Sequence, residues 1–82
     1  MEINQIVQKI EEIINTKIEN GMAYENIKSI QYIKLLVCIE EEFDIEFDDE
    51  DLGMNRFDSL EKLATYVAEK INNILLANDN LN

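Results

Sequence analysis

The chain has 82 residues, of which 46% are hydrophobic, so it has material for one small folded domain. Its formal net charge of −11 excludes nucleic acid and anionic membrane as natural partners, because both must be neutralised by lysine and arginine. With no histidine and one cysteine, Cys38, it cannot form an internal disulfide, and it lacks the usual metal ligand and general base. We therefore expect no metal site and no catalytic residues.

The sequence begins without the basic, apolar and small-residue pattern of a secretory signal, and it contains no apolar run long enough to cross a membrane. We expect a cytoplasmic protein without membrane insertion. We also expect one domain over residues 1–76, followed by a disordered tail over residues 77–82.

Apolar residues spaced three and four apart predict a first amphipathic helix over about residues 2–18. They are Ile3, Ile6, Val7, Ile10, Ile13, Ile14 and Ile18. Gly21 follows, and glycine commonly ends helices because it adopts the left-handed conformation readily.

A second helix is predicted from Ser29 to Glu42, with apolar residues around much of its circumference. One stripe contains Ile30, Ile33, Leu36, Val37 and Phe43, and a second contains Tyr32, Leu35 and Ile39. Such a helix is either deeply buried or presents a surface to a partner. For any single one of these residues, we expect a place in the core.

The highly charged segment 44–51 predicts a loop that Phe43, Ile45 and Phe47 anchor, with a short helix near residues 49–53. A capping-box-like pattern from Asp58 to Glu61 then begins the last helix. Its apolar residues are Leu60, Leu63, Ala64, Val67, Ile71 and Ile74. The predicted fold is an all-α four-helix bundle with three long helices and one short helix.

Residues 26–47 resemble the signature of acyl and peptidyl carrier proteins, and the resemblance extends over residues 3–74. In that family a serine opens helix two, and the helix ends in the pattern found here at Glu40-Glu41-Glu42-Phe43. The family's spacing, counted back from this pattern, identifies Ser29 as the modified serine. The predicted fold is accordingly that of an acyl carrier protein.

The resemblance implies that the Ser29 hydroxyl accepts 4′-phosphopantetheine from coenzyme A, in a reaction catalysed by a separate phosphopantetheinyl transferase. The thiol of that group, and not Cys38, would hold an acyl, aminoacyl or peptidyl thioester. Other implied partners are an acyl- or aminoacyl-loading ligase and downstream biosynthetic enzymes. The pathway stays open among fatty-acid, polyketide, nonribosomal-peptide and related synthesis, and we expect a monomer.

The chain departs from the family pattern just before the serine, where Lys28 replaces an aspartate and Asn26 replaces a glycine. We expect partner binding along helix two, through Lys28, Ile30, Gln31, Ile33, Lys34, Glu40 and Glu41. The two lysines favour a dedicated partner with an acidic contact. The alternative function is an unmodified carrier-fold interaction module whose acidic face docks a basic protein.

Asp58-Ser59-Leu60 is the literal Asp-Ser-Leu of the chain, but no apolar helix that ends in an acidic cluster follows it. We therefore predict that Asp58 or Ser59 caps the last helix.

The acidic segment also fails as a calcium loop. Such a loop requires a bidentate glutamate at its twelfth position. That position is Ser59 if the loop starts at Asp48, and Asn55 if it starts at Asp44.

Overall fold

A computed structural model describes residues 2–28, 30–51 and 56–80, without the side chains at residue 51 and at residues 74–80. These ranges contain helices and connections but no strand, which confirms the predicted all-α class. In chain order the elements are α1 (Ile3–Ile13), a π-helical turn (Ile14–Ile18), a 3-10 turn (Tyr24–Asn26), α2 (Ile30–Phe43), a 3-10 turn (Asp49–Asp51) and α3 (Leu60–Asn80). No helix in the described part of the chain is both long and apolar enough to cross a membrane.

The first predicted helix forms, but its last turn is wider than an α-helical turn. The amide of Glu19 donates to the carbonyl of Ile14, five residues back, at 2.8 Å. Gly21 follows with φ 81°, and its amide donates to the side-chain oxygen of Asn15 at 2.8 Å. These bonds satisfy groups that a helix end leaves without intrahelical partners, and they turn the chain towards α2.

One hydrophobic core joins the three α-helices, and α1 contacts both α2 and α3. Because residues three and four apart share a helix face, each helix contributes a stripe to this core. The largest fully buried side chains among the described residues are Ile6, Ile10, Ile14, Leu35, Leu36, Ile39, Leu63 and Val67. The central layer of the predicted bundle therefore forms as the periodicity indicated.

The apolar residues of α2 divide into an inner and an outer face. Tyr32, Leu35, Leu36 and Ile39 are buried and form the inner face. Ile30, Ile33 and Val37 are exposed, so the core was the wrong assignment for these three residues, of which Ile30 and Ile33 also belong to the predicted partner-binding set. The reason is geometric: the inner face already fills the contact with the rest of the bundle, and the outer residues point away from it.

The segment after α2 is an anchored loop, as predicted. Asp44 has φ 54°, and the amide of Ile45 donates to the carbonyl of Glu40 at 3.2 Å, so the helix ends in a left-handed cap. Ile45 and Phe47 are buried, and the Phe47 amide donates to a carboxylate oxygen of Glu40 at 2.9 Å. The acidic segment is thus attached to the core through alternate apolar residues.

A 3-10 turn at Asp49–Asp51 lies where the short helix over residues 49–53 was predicted. Residues 52 and 53 lie outside the described residues, so the length of this element stays a prediction. The end of α3 extends to Asn80, and the predicted disorder of residues 77–82 likewise stays a prediction.

An aromatic cluster holds the acidic loop against α3. The rings of Phe47 and Tyr66 stack with centroids 5.4 Å apart, and Phe57 packs edge-on against both. Lys70 lies 5.5 Å from the Tyr66 ring centroid and 3.4 Å from a carboxylate oxygen of Asp48. These contacts connect residues distant in the sequence and position the loop beside the last helix.

Candidate functional site

The chain reaches the protein surface at the beginning of α2. Ile27 is buried, with 5% of its surface exposed, whereas Lys28 is exposed and Ile30 is 82% exposed. The amide of Gln31 donates to the carbonyl of Lys28 at 3.1 Å, which begins the first turn. Ser29 lies outside the described residues, but the residues on both sides of it are accessible.

The segment that leads into α2 is held by Tyr24. Its hydroxyl donates to the carbonyl of Phe57 at 2.7 Å, a contact between positions 33 residues apart. Burial, and to a smaller extent the nearby Tyr32 and Asp58, raise the pKa of Tyr24 well above its usual value. Tyr24 therefore keeps its proton, and this hydrogen bond, at neutral pH.

Three exposed apolar residues form a continuous surface along α2, here called the outer stripe: Ile30, Ile33 and Val37. Their exposed fractions are 82%, 45% and 44%. Their spacing of three and four residues places them on one face of the helix. A large apolar surface of this kind is costly to leave in water and is typical of a site that a partner covers.

The predicted partner-binding residues differ in how exposed they are. Lys28, Ile30, Ile33, Lys34 and Glu41 are exposed, whereas Gln31 and Glu40 are only partly exposed. Glu40 is already hydrogen bonded to the Phe47 amide. Partner binding by all seven residues stays a prediction, and for Glu40 it must be compatible with that bond.

Val37 is the outer-stripe residue that the predicted partner-binding set omitted. It follows Ile33 by four residues and Ile30 by seven, so the helical spacing was sufficient to find it. The ion pair between Lys9 and Glu42, at 3.1 Å, had no comparable signal, since the two residues are far apart in the sequence. Hydrogen bonding to Glu42 and its charge raise the pKa of Lys9.

The second candidate serine, Ser59, is already used by the fold. Its side-chain oxygen accepts a hydrogen bond from the Lys62 amide at 3.1 Å, and its carbonyl accepts one from Leu63 at 3.1 Å. Ser59 is therefore the N-cap of α3, which confirms the predicted capping role. The predicted capping box from Asp58 to Glu61 starts one residue too early, because α3 begins at Leu60 with Ser59 as its cap; Asp58 pairs with the Lys62 ammonium at 2.9 Å.

A family model described as the phosphopantetheine attachment site matches residues 4–67. Because the match spans more than half of the 82 residues, the chain belongs to the phosphopantetheine-binding family, to which acyl and peptidyl carrier proteins belong. The predicted resemblance is thereby confirmed. Comparisons with curated proteins and with solved structures give no match.

Membership makes the chain a carrier and not an enzyme, and its cofactor is covalent 4′-phosphopantetheine, whose terminal thiol would hold the cargo. It also implies contact with a phosphopantetheinyl transferase and with biosynthetic enzymes. Within the described residues, no group of three or more acidic or cysteine side chains is arranged to hold a metal ion.

The described residues around position 29 fit such a group. Ile27 anchors the chain in the core, and the accessible Lys28 and Ile30 leave room on both sides of the serine. The beginning of α2 is the positive end of the helix dipole, which favours a phosphodiester. The Lys28 ammonium adds a positive charge one residue away.

Proposed function

We propose that Ser29 is the attachment point of 4′-phosphopantetheine and that the protein presents acyl or aminoacyl thioesters to successive enzymes. The observation that carries this proposal is the 82% exposure of Ile30, next to Ser29, at the beginning of a helix with an exposed apolar stripe. Ser59 is the less suitable acceptor, since its hydroxyl caps α3. An attachment serine must be free to enter the active site of a transferase.

On this proposal the Ser29 oxygen bonds to the phosphorus of the phosphopantetheine, and the diphosphate of coenzyme A is cleaved. The nucleotide half of coenzyme A leaves with the other phosphate, and a base of the transferase takes the hydroxyl proton. The chain itself contributes position and charge: Ile27 fixes the segment, and Lys28 offsets the charge of the new phosphodiester.

We extend the proposal to the wider organisation of the protein. The 3-10 turn at Asp49–Asp51 would begin the short helix of a four-helix carrier domain that spans residues 1–76. The cargo would belong to fatty-acid, polyketide, nonribosomal-peptide or related synthesis, with an acyl- or aminoacyl-loading ligase upstream. A monomeric protein in the cytoplasm stays our prediction.

The outer stripe would provide the docking surface for these enzymes. Ile30 and Ile33 lie within one turn of Ser29 in the sequence, so an enzyme that covers them has the modified serine at its edge. The predicted contacts through Lys28, Gln31, Lys34, Glu40 and Glu41 would surround this apolar centre. Such an arrangement of apolar core and polar rim is typical of protein interfaces.

Intact-protein mass spectrometry tests the attachment site. The purified chain is incubated with coenzyme A, magnesium and a broad-specificity phosphopantetheinyl transferase, and the mass of one phosphopantetheine should be gained. Ser29→Ala should gain nothing. Ser59→Asp is the matched control, because it removes the second hydroxyl but keeps a capping oxygen, and it should be modified like the original chain.

Loss of the gain in Ser59→Asp with retention in Ser29→Ala would overturn the assignment. No gain by the original chain, including with transferases from its own source, would favour the alternative function, an unmodified interaction module that docks a basic protein.

A further inference from the structure

The basic residues beside the outer stripe differ from most others in the chain. The sequence has 7 basic and 18 acidic residues, so an acidic neighbour is the usual condition for a lysine. Lys9, Lys62 and Lys70 each form an ion pair. Lys28 and Lys34, like Lys17, are exposed and form no ion pair with any residue in the described part of the chain.

Lys28 also opposes the electrostatics of the helix that it precedes. Lys28 lies directly before the first turn of α2, at the positive end of the helix dipole, whereas Lys34 is the fifth residue of α2 and lies beyond that turn. Acidic residues would stabilise that end, and basic residues destabilise it slightly. A local choice that opposes the fold is typical of positions with a function outside the fold.

The acidic end of α2 has one side chain that the fold does not use. Glu40 accepts the Phe47 amide, and Glu42 pairs with Lys9. Glu41 is exposed and forms no ion pair or side-chain hydrogen bond with another described residue. It follows Lys34 by seven residues, which places it on the same face about 10 Å further along the helix.

We infer, on the basis of the proposed carrier function, that the outer stripe docks an enzyme surface of reversed polarity. That surface is an apolar groove with carboxylates opposite Lys28 and Lys34, and a basic group about 10 Å away opposite Glu41. A second copy of the chain is a poor occupant, since each copy carries a formal charge of −11. The pattern of charges would also fix the direction in which the enzyme lies along α2.

A charge-swap experiment tests this inference. The probe is one phosphopantetheinyl transferase in two forms, one with exposed basic residues around its carrier-binding groove and one in which only the basic residues opposite the beginning of α2 are changed to glutamate. The carrier is used as Ser29→Ala, so that binding is measured without transfer. Calorimetry measures the dissociation constant of each form of the transferase for three carriers. The first is this Ser29→Ala reference, the second also contains Lys28→Glu/Lys34→Glu, and the third also contains Lys17→Glu/Lys62→Glu.

The reference should bind the acidic form of the transferase at least about tenfold more tightly than the basic form. Lys28→Glu/Lys34→Glu should reverse this preference, and it should remain folded by circular dichroism, because both lysines are exposed. Lys17→Glu/Lys62→Glu has the same total charge as Lys28→Glu/Lys34→Glu, but it should keep the preference of the reference for the acidic form of the transferase.

The inference is overturned if Lys28→Glu/Lys34→Glu keeps the preference of the reference for the acidic form, or if Lys17→Glu/Lys62→Glu also reverses that preference. It is likewise overturned if no variant binds either form of the transferase. Its failure is distinct from failure of the proposed function. A mass gain at Ser29 without the reversal would refute only the docking inference. A reversed binding preference, with no mass gain in the chain that retains Ser29, would refute only the proposed attachment of phosphopantetheine to Ser29.

Discussion

The two faces of α2 contain similar residues but have different roles. Leu35, Leu36 and Ile39 are at most 1% exposed, whereas Ile30 is 82% exposed and Val37 is 44% exposed. Hydrophobicity therefore does not distinguish the residues that hold the bundle together from those that meet a partner. Their position around the helix does, because one helix face is enough to fill the core of so small a domain.

The same division applies to the acidic residues at the end of the helix. Glu40 faces inward and binds the Phe47 amide, while the adjacent Glu41 is exposed. If the division is correct, inward residues determine stability, and outward residues can be changed with little effect on it.

The largest effect should come from truncating an inner residue. Leu35→Ala should lower the free energy of unfolding by about 2–5 kcal/mol, since it removes buried methyl groups and leaves a cavity. Ile33→Ala should change it by no more than about 0.5 kcal/mol. Urea denaturation measures both, and losses of equal size would contradict the division of the helix.

The second effect compares the two neighbouring glutamates. Glu40→Ala should cost about 1–3 kcal/mol, because the partly buried Phe47 amide loses its acceptor. Glu41→Ala serves as the matched control and should stay within about 0.5 kcal/mol. Equal losses in thermal or urea unfolding would mean that the Glu40 contact does not anchor the acidic loop.

The third effect concerns the inward anchor of the segment before α2. Tyr24→Phe should cost about 1 kcal/mol at neutral pH, because the Phe57 carbonyl loses its donor. The raised pKa of Tyr24 means that its contribution is complete below the pKa of the unfolded tyrosine, near 10, and falls as the pH rises above it. Urea titrations from about pH 8 to about pH 11 should show a steeper alkaline loss in the original chain than in Tyr24→Phe. Parallel curves of stability against pH for the two proteins would contradict the burial of the Tyr24 hydroxyl.

The smallest effect should come from an outward charge. Lys28→Glu should raise the free energy of unfolding by about 0.3–1 kcal/mol, since it places an acid at the positive end of α2. Salt should reduce the gain. A loss of stability, measured by urea denaturation at low and high salt, would indicate an intramolecular role for Lys28.

The sequence was sufficient for the fold class, the three long helices and the anchored loop, because these depend on local periodicity and on alternation at Phe43, Ile45 and Phe47. It was insufficient for the face of α2 that is buried. Both stripes are apolar, and the choice between them depends on how α1 and α3 approach the helix. The exposure of Ile30 and Ile33 follows from that tertiary arrangement.

Smaller errors have the same origin. The wide turn at Ile14–Ile18 depends on hydrogen bonds from Glu19 and Gly21, which periodicity does not encode. At the site, the family motif predicted Ser29 as the attachment serine and partner binding through Ile30 and Ile33, and both stay predictions. The sequence predicted that Asp58 or Ser59 caps the last helix, and the hydrogen bond from the Lys62 amide identifies Ser59 as the cap.

Peptide mapping of the modified protein tests the central claim most directly. Trypsin cleaves after lysine and arginine, so Ser29 and Ser59 fall in separate peptides, residues 29–34 and residues 57–62. After treatment with coenzyme A and a phosphopantetheinyl transferase, the account predicts phosphopantetheine on the peptide of residues 29–34 and an unmodified peptide of residues 57–62. Phosphopantetheine on residues 57–62 instead would contradict the assignment of Ser29 as the attachment site.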